Sequence, residues 1–436
     1  MRKLVFIGWL FLFGIAEGMD LSHVEFYLKV NNLSGAKKAL QEEYQKATSQ
    51  DDKEQLQYML AQVALREKDL PQATAIFRKM LAENPALLRV RYELAYLYFL
   101  QKEDDSARYH ARLALADKNL PGQYRAQLTA MNAAIRRRRA WQLYVSVGMA
   151  PDSNVNTMSG KRLECVNIWG LPFCRELEDT ESDIGFQGYG SLSYIYKFTD
   201  HWGIKTRASV DTIEYKDDRY SFWGLSGEIG PRYVTDRYEY GVGFSYRQQW
   251  NAEHRYSHTK GVFGEWQGDL SRRLAVRSRL MADKVAYNQA EYQGYNSTNY
   301  GASLRLIYGI NNRSYTALSG FWVYEDSDTD WNSNFRQRYG LGYGTELPWG
   351  FNIYAEPNIT LANYRGERYF ISKQSTLERL KRADTTYGVY VTLSNKYLRM
   401  YDIMPTVSYI YNKRFSNVNN YDYARTRWEI GISKSF

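Results

Sequence analysis

Residues 141–150 read Trp141-Gln142-Leu143-Tyr144-Val145-Ser146-Val147-Gly148-Met149-Ala150. Trp141, Leu143, Val145, Val147 and Met149 fall in one phase, and Gln142, Tyr144, Ser146 and Gly148 in the other. A period of two marks a strand whose two faces meet different surroundings. The pattern recurs in Tyr238, Tyr240, Val242, Phe244 and Tyr246, and again in Trp428, Ile430 and Ile432, opposed by Arg425, Arg427 and Glu429. A soluble sandwich also buries one face of such strands. Arg277, Arg279, Arg305, Arg336 and Arg338, however, all lie opposite apolar faces, as a hydrated lumen requires. The expected fold is therefore a transmembrane antiparallel β-barrel over residues 140–436.

Composition agrees once strands rather than helices are taken to cross the membrane. The mean hydropathy of −0.57 would describe a soluble chain, yet there are 39 Tyr, 11 Trp and 18 Phe. Most of the Tyr and Trp lie beyond residue 140 in short alternating runs. In membrane barrels only every second residue meets lipid, which keeps the average polar.

The connections alternate in length. Short turns are expected at residues 199–201, 235–237, 270–273, 311–313, 347–350 and 395–398. Longer loops are expected at 151–183, 216–219, 251–256, 289–295, 325–332, 364–382 and 412–420. Bacterial barrels have short periplasmic turns and longer outer loops, with an even strand number. The tally is about 14 strands, which leaves both ends of the barrel in the periplasm. Phe436 closes the chain in phase with Trp428, Ile430 and Ile432, like an insertion signal of outer-membrane proteins.

The amino end implies export. Arg2 and Lys3 precede an apolar run from Leu4 to Ile15 and then Ala16-Glu17-Gly18. This is the layout of a signal peptide over residues 1–18, and the run is short against the ~20 residues of a spanning helix. The net charge is +9. Export makes nucleic acid an unsuitable partner and points to lipopolysaccharide or an acidic protein surface. Cys165 and Cys174 share one loop of a chain bound for an oxidising compartment, so they are expected to form a disulfide.

Residues 19–139 have another texture, rich in Ala, Leu, Gln, Glu and Lys with helical periodicity. Ala39, Ala73 and Ala107 recur at a spacing of 34, as do Leu60-Ala61 and Leu94-Ala95, and Pro85 closes one unit. That is the period of an all-α tetratricopeptide-repeat-like domain. Two units are clear and a third, around residues 24–48, is degenerate, so the domain is expected to lean on the barrel. The repeat register puts Tyr58, Gln62, Arg89, Tyr92 and Tyr96 near the concave face, where a passenger would dock; for any one of them ordinary packing and solvent contact is the favoured reading. The run Arg136-Arg137-Arg138-Arg139 suits a helix end, or a contact with headgroups or a partner.

The junction carries a sharper likeness. The first strand runs straight into Pro151-Asp152-Ser153-Asn154-Val155-Asn156, and upstream stand Asn84-Pro85 and Arg91-Tyr92-Glu93-Leu94-Ala95. In these motifs, and in joining a repeat domain to a barrel, the whole chain resembles the surface lipoprotein assembly modulator family. The resemblance implies an outer-membrane translocator or assembly factor that delivers surface lipoproteins, or related secreted haem- and metal-acquisition proteins, to the cell surface. It implies a passenger protein as partner, periplasmic chaperones and the barrel assembly machinery as helpers, and no cofactor. Asp152, Asn154 and Asn156 either hydrogen-bond at the lumen mouth or supply turn chemistry.

Rival functions differ in what they require. A lipid-modifying barrel enzyme needs an activated nucleophile with a base in reach. The five His are His23, His110, His201, His254 and His258, and none has such a setting in the sequence. His254 and His258, beside Glu253 in an outer loop, suit solvent better than a metal. No enzymatic role is expected. A polysaccharide exporter also joins such repeats to a barrel and suits a basic lumen; the junction motif favours the protein translocator. A plain porin leaves the repeats without a purpose.

Overall fold

A computed structural model of the chain describes residues 21–138, 140–252, 254–395 and 403–435. The expected signal peptide, Arg139, Glu253, Phe436 and most of the turn after Asn395 lie outside these residues. Among the described residues seven α-helices come first: α1 (Ser22–Lys29), α2 (Leu33–Lys46), α3 (Gln50–Arg66), α4 (Leu70–Glu83), α5 (Leu88–Leu100), α6 (Asp104–Ala116) and α7 (Gly122–Arg138). They pack as consecutive hairpins. Lys68 and Lys102, 34 apart, both turn the chain in the left-handed region after α3 and α5. Asp69 then caps α4 by accepting from the Gln72 N–H at 2.9 Å, and Pro71 occupies its first turn. Ala61, Ala73, Ala95 and Ala107 are fully buried at the helix crossings, where only small side chains let the backbones approach.

The barrel follows without a linker. Strand β1 (Trp141–Asp152) leads into an outer hairpin, β2 (Leu163–Ile168) and β3 (Leu171–Glu176), then β4 (Asp183–Lys197), β5 (Trp202–Glu214), β6 (Phe222–Val234), β7 (Tyr238–Asn251) and β8 (His254–Asp269). The remainder are β9 (Leu274–Tyr287), β10 (Ser297–Gly309), β11 (Ser314–Ser327), β12 (Asn334–Glu346), β13 (Phe351–Ile371), β14 (Leu377–Asn395), β15 (Met404–Ser416) and β16 (Tyr423–Ser435). All except β2 and β3 join one closed antiparallel barrel of fourteen strands, each paired with its neighbour in sequence and β16 with β1. Closure leaves no free sheet edge, the condition for crossing lipid with strands. Among the described residues no helix is long and apolar enough to cross a membrane.

The two phases separate as expected. Met149, Val242, Phe244, Leu280, Leu341 and Ile430 point outward into a broad apolar belt; such a surface is stable only against lipid. Arg279, Arg305, Arg338, Glu228, Glu265 and Glu356 point inward.

Some outer connections differ from expectation. Residues 251–256 are no longer loop, because Asn251 pairs directly with His254 across a tight turn and a register shift follows at Gln249/Trp250. His254 and His258 thus lie on β8, and His258 stacks beside Tyr246 at 6.5 Å. Residues 364–382 are mostly strand: β13 and β14 run on as a ladder to Ile371 and Leu377, past an irregularity between Asn363 and Glu367. Above the rim both faces meet water, so the apolar alternation stops while the backbone pairing continues. The loop after β1 carries the β2–β3 hairpin, bridged by the Cys165–Cys174 disulfide.

Candidate functional site

Two of the places where charge is buried join distant parts of the chain. The first is the outer end of the seam between β1 and β16. Their register runs from Tyr144↔Ser435 to Met149↔Ile430 and is then interrupted before Asp152↔Arg427; Pro151, with no N–H to give, stands in the gap. Gly148 faces Gly431, and a Cβ on Gly431 would lie 2.3 Å from the Val147 carbonyl oxygen. The junction motif compensates for this seam. Asp152, 4% exposed, accepts from Arg425 Nε at 2.9 Å and Nη2 at 2.5 Å, from the Tyr215 hydroxyl at 3.2 Å and from the Asn154 N–H at 3.1 Å. Asn154 donates to the carbonyls of Met158 and Ala424. Asn156 donates to the Asp179 carbonyl and accepts from the Glu181 N–H. Asp152 and Asn154 therefore fasten the first loop to the last strand, and Asn156 shapes the loop itself.

The second place is the inner mouth, where the helices meet the barrel. Arg91 of α5 is fully buried and donates to the Pro85 carbonyl at 2.8 Å and to the Glu346 carboxylate at the end of β12. Glu346 also accepts from the Tyr109 hydroxyl of α6 at 2.6 Å. Asn312, in the β10–β11 turn, donates to the Ala86 carbonyl at 2.7 Å. On the opposite side Arg136 holds Asp269 at 2.8 Å and the Asp236 carbonyl at 3.1 Å, and Arg137 reaches the Asp236 carboxylate. Arg138 turns back to Asp104 at 3.0 Å. The arginines at the end of α7 thus serve as a clamp between helices and turns rather than as a solvated helix end.

Sequence reasoning quoted Arg91 within the family motif without giving it a role, and passed over Tyr109. A signal was present: Arg91 lies on the apolar row of α5 with Leu88, Leu94, Ala95 and Tyr98, where a charge needs a buried partner. Glu346 offered no comparable signal.

Inside the mouth, three cavities adjoin. One of about 340 Å³ lies between α6, α7 and the inner ends of β1 and β4–β9, and is lined by Arg108, Arg112, Arg136, Arg232 and Arg277. It shares Lys205, Arg207 and Arg277 with a lumen cavity of about 610 Å³, so the cationic walls are continuous from the mouth into the barrel. The lumen walls are held by ion pairs: Arg279–Glu228 at 2.8 Å, Lys205–Glu265 at 2.7 Å and Arg305–Glu356 at 3.1 Å. A third cavity, about 590 Å³, lies between α4–α6 and the inner ends of β11–β16 and has mostly apolar walls. Tyr109 borders both the cationic and the apolar chamber. Among the described residues no group of three His, Cys, Asp or Glu side chains is placed to hold a metal.

The residues assigned to a concave docking face come together on the inner helices α3 and α5. Tyr58 and Tyr92 are buried. Tyr58 donates to Glu93 at 3.0 Å, accepts from Gln62 at 3.0 Å and lies under Arg89 at 4.5 Å. Tyr92 packs on Tyr124 at 4.4 Å and donates to Gln127 of α7. Gln62, Arg89 and Tyr96 remain half-exposed. Burial pushes the Glu93 carboxyl up, against the opposing effects of the Tyr58 hydrogen bond and the Arg89 charge.

The surface lipoprotein assembly modifier family matches residues 141–436. The chain belongs to that family. A surface lipoprotein assembly modifier of Pasteurella multocida is 24% identical over 402 residues, covering 87% of this chain and 76% of its own length. The hemophilin secretion modulator of Acinetobacter baumannii is 23% identical over 389 residues, covering 82% and 74%. Among solved structures, the outer membrane channel DcaP of Acinetobacter baumannii aligns with a TM-score of 0.39 at 10% identity, over 68% of this chain and 97% of that one. As a surface lipoprotein assembly modifier, the chain resides in the outer membrane through its barrel, with the helices on the periplasmic side.

Proposed function

We propose that this protein delivers a surface lipoprotein, or a related secreted haem-acquisition protein, across the outer membrane. The observation that carries the reading is the inner mouth. The helices are docked across it by the Arg91–Glu346 and Arg136–Asp269 pairs, and cationic walls lead from there into the lumen. A passenger arriving in the periplasm meets the helices first, with Gln62, Arg89 and Tyr96 as the accessible part of the repeat-like face and Tyr58 and Tyr92 as its braces. The hemophilin secretion modulator among the relatives favours haem-acquisition proteins as one passenger class. The protein acts without an enzymatic step of its own, through binding and conformational release.

The test is co-expression with a lipoprotein encoded beside it, in a host lacking both. Surface exposure, read by protease shaving of intact cells, should depend on this protein. Equal exposure with and without it would overturn the reading.

A further inference from the structure

The apolar chamber is out of place in a barrel mouth. Lumen surfaces are polar because they meet water, and the two adjoining cavities follow that rule with guanidinium walls. The chamber under β11–β16 departs from it: apart from Arg78, Lys79, Asp105 and Glu346 at its border, its walls are chiefly apolar, with Leu81 and Tyr98 from the helices and Tyr315, Tyr354 and Met404 from the barrel. At about 590 Å³ it falls within the size range of pockets that enclose small ligands. Tyr109, whose hydroxyl donates to Glu346, and Asp105 border both this chamber and the cationic one. A ligand spanning both would have an apolar arm on one side of Tyr109 and a polar or acidic chain on the other.

We propose that this chamber receives an acyl chain of a lipoprotein passenger while the polypeptide enters the cationic chamber. This rests on the translocation reading and names the part of the passenger that the mouth recognises. The physical need is plain. Each methylene taken out of water shifts the equilibrium about fourfold, so an acylated passenger at an aqueous mouth requires apolar walls for its anchor. The chamber lies between the helices and the inner strand ends, on the side where such a passenger arrives, and its neighbour supplies the positive charge that an acidic polypeptide complements.

The test uses the full-length protein in phosphatidylcholine nanodiscs and a synthetic diacylated lipopeptide with a diazirine in one acyl chain. Crosslinks should map to peptides carrying Leu81, Tyr98 and Met404. Filling the chamber from either wall, by Ala75→Trp on α4 or Thr392→Trp on β14, should lower that labelling about tenfold while the barrel stays heat-modifiable on gels. Labelling confined to the outward belt around Phe244 and Leu280 would overturn the proposal. So would equal labelling of the chamber by a diazirine phosphatidylglycerol, which would make it a phospholipid site. In cells, both Trp variants should still deliver a passenger whose lipidated Cys is changed to Ser. If the unaltered protein delivers neither form of passenger, the translocation reading fails, while the crosslinks still decide the chamber.

Discussion

Two arginines, each holding a buried carboxylate, stand at opposite ends of this molecule, and they differ in what they join. Arg425–Asp152 unites the last strand with the first, inside one barrel, and Asp152 has further donors in Tyr215 and the Asn154 N–H. Arg91–Glu346 unites the helices with the barrel across 255 residues of sequence, and beyond it the contact depends on Tyr109, Asn312 and the α7 arginines. The outer pair reinforces a closure that backbone pairing already makes. The inner pair joins surfaces that have no backbone ladder between them, so its removal acts on docking, besides the Pro85 carbonyl contact that Arg91 makes within the helices. A mouth that must admit a passenger is better closed by such a contact than by a strand ladder.

Four substitutions break or sharpen this contrast. Arg91→Met strands the buried Glu346 carboxylate, at a cost of about 3–5 kcal/mol. The helices should then come free, seen as rapid cleavage in the segment 117–121 while the barrel remains heat-modifiable. The double variant R91M/E346Q should regain most of the loss, because no buried charge is left unpaired; a double variant as labile as the single one would contradict this account. Asp152→Ala leaves Arg425 and Tyr215 without their acceptor, for about 2–3 kcal/mol, and should lower the urea midpoint of the barrel without freeing the helices. Loss of the helices first would make the two closures one unit.

Smaller effects lie away from both pairs. Replacing Cys165 and Cys174 by Ser should cost about 2 kcal/mol, the low end for a short loop. It should act locally, exposing the β2–β3 hairpin to protease with an unchanged barrel transition. Smallest is the effect of Glu93. Its carboxyl is raised in the folded state, so the unfolded chain releases that proton first. The associated stability is fully present below the unfolded value near 4.5 and is lost as pH rises through the raised folded one. The thermal midpoint of the helices should therefore climb as pH falls toward 4.5, and Glu93→Gln should flatten that slope. An unchanged slope would assign it to other groups.

Legibility followed the range of the interactions. The lumen arginines, the apolar belt and the 34-residue period of Ala73 and Ala107 are local periodicities, each visible in a window of a few turns or strands. The outer ladder of β13 and β14 was hidden because, above the membrane, neither face is apolar and alternation carries no signal. Tyr58 and Tyr92 show a different limit. The repeat register placed them on the inner helices, yet the register says nothing about Glu93 and Gln127, which engage them. The junction motif was visible as a motif, while its partner Arg425, 273 residues away, was not.

By itself the sequence determined the class of fold, the even strand count, the side on which the helices lie and the family resemblance. Each of these follows from which environment a residue tolerates, and that is written in its own side chain and its near neighbours. The tertiary structure alone decided how the barrel closes on Asp152, how the helices dock at its mouth through Arg91 and Tyr109, and that an apolar chamber stands beside a cationic one. Those features depend on groups brought together from distant parts of the chain. Their pairing energies arise only after the loops between them have been closed.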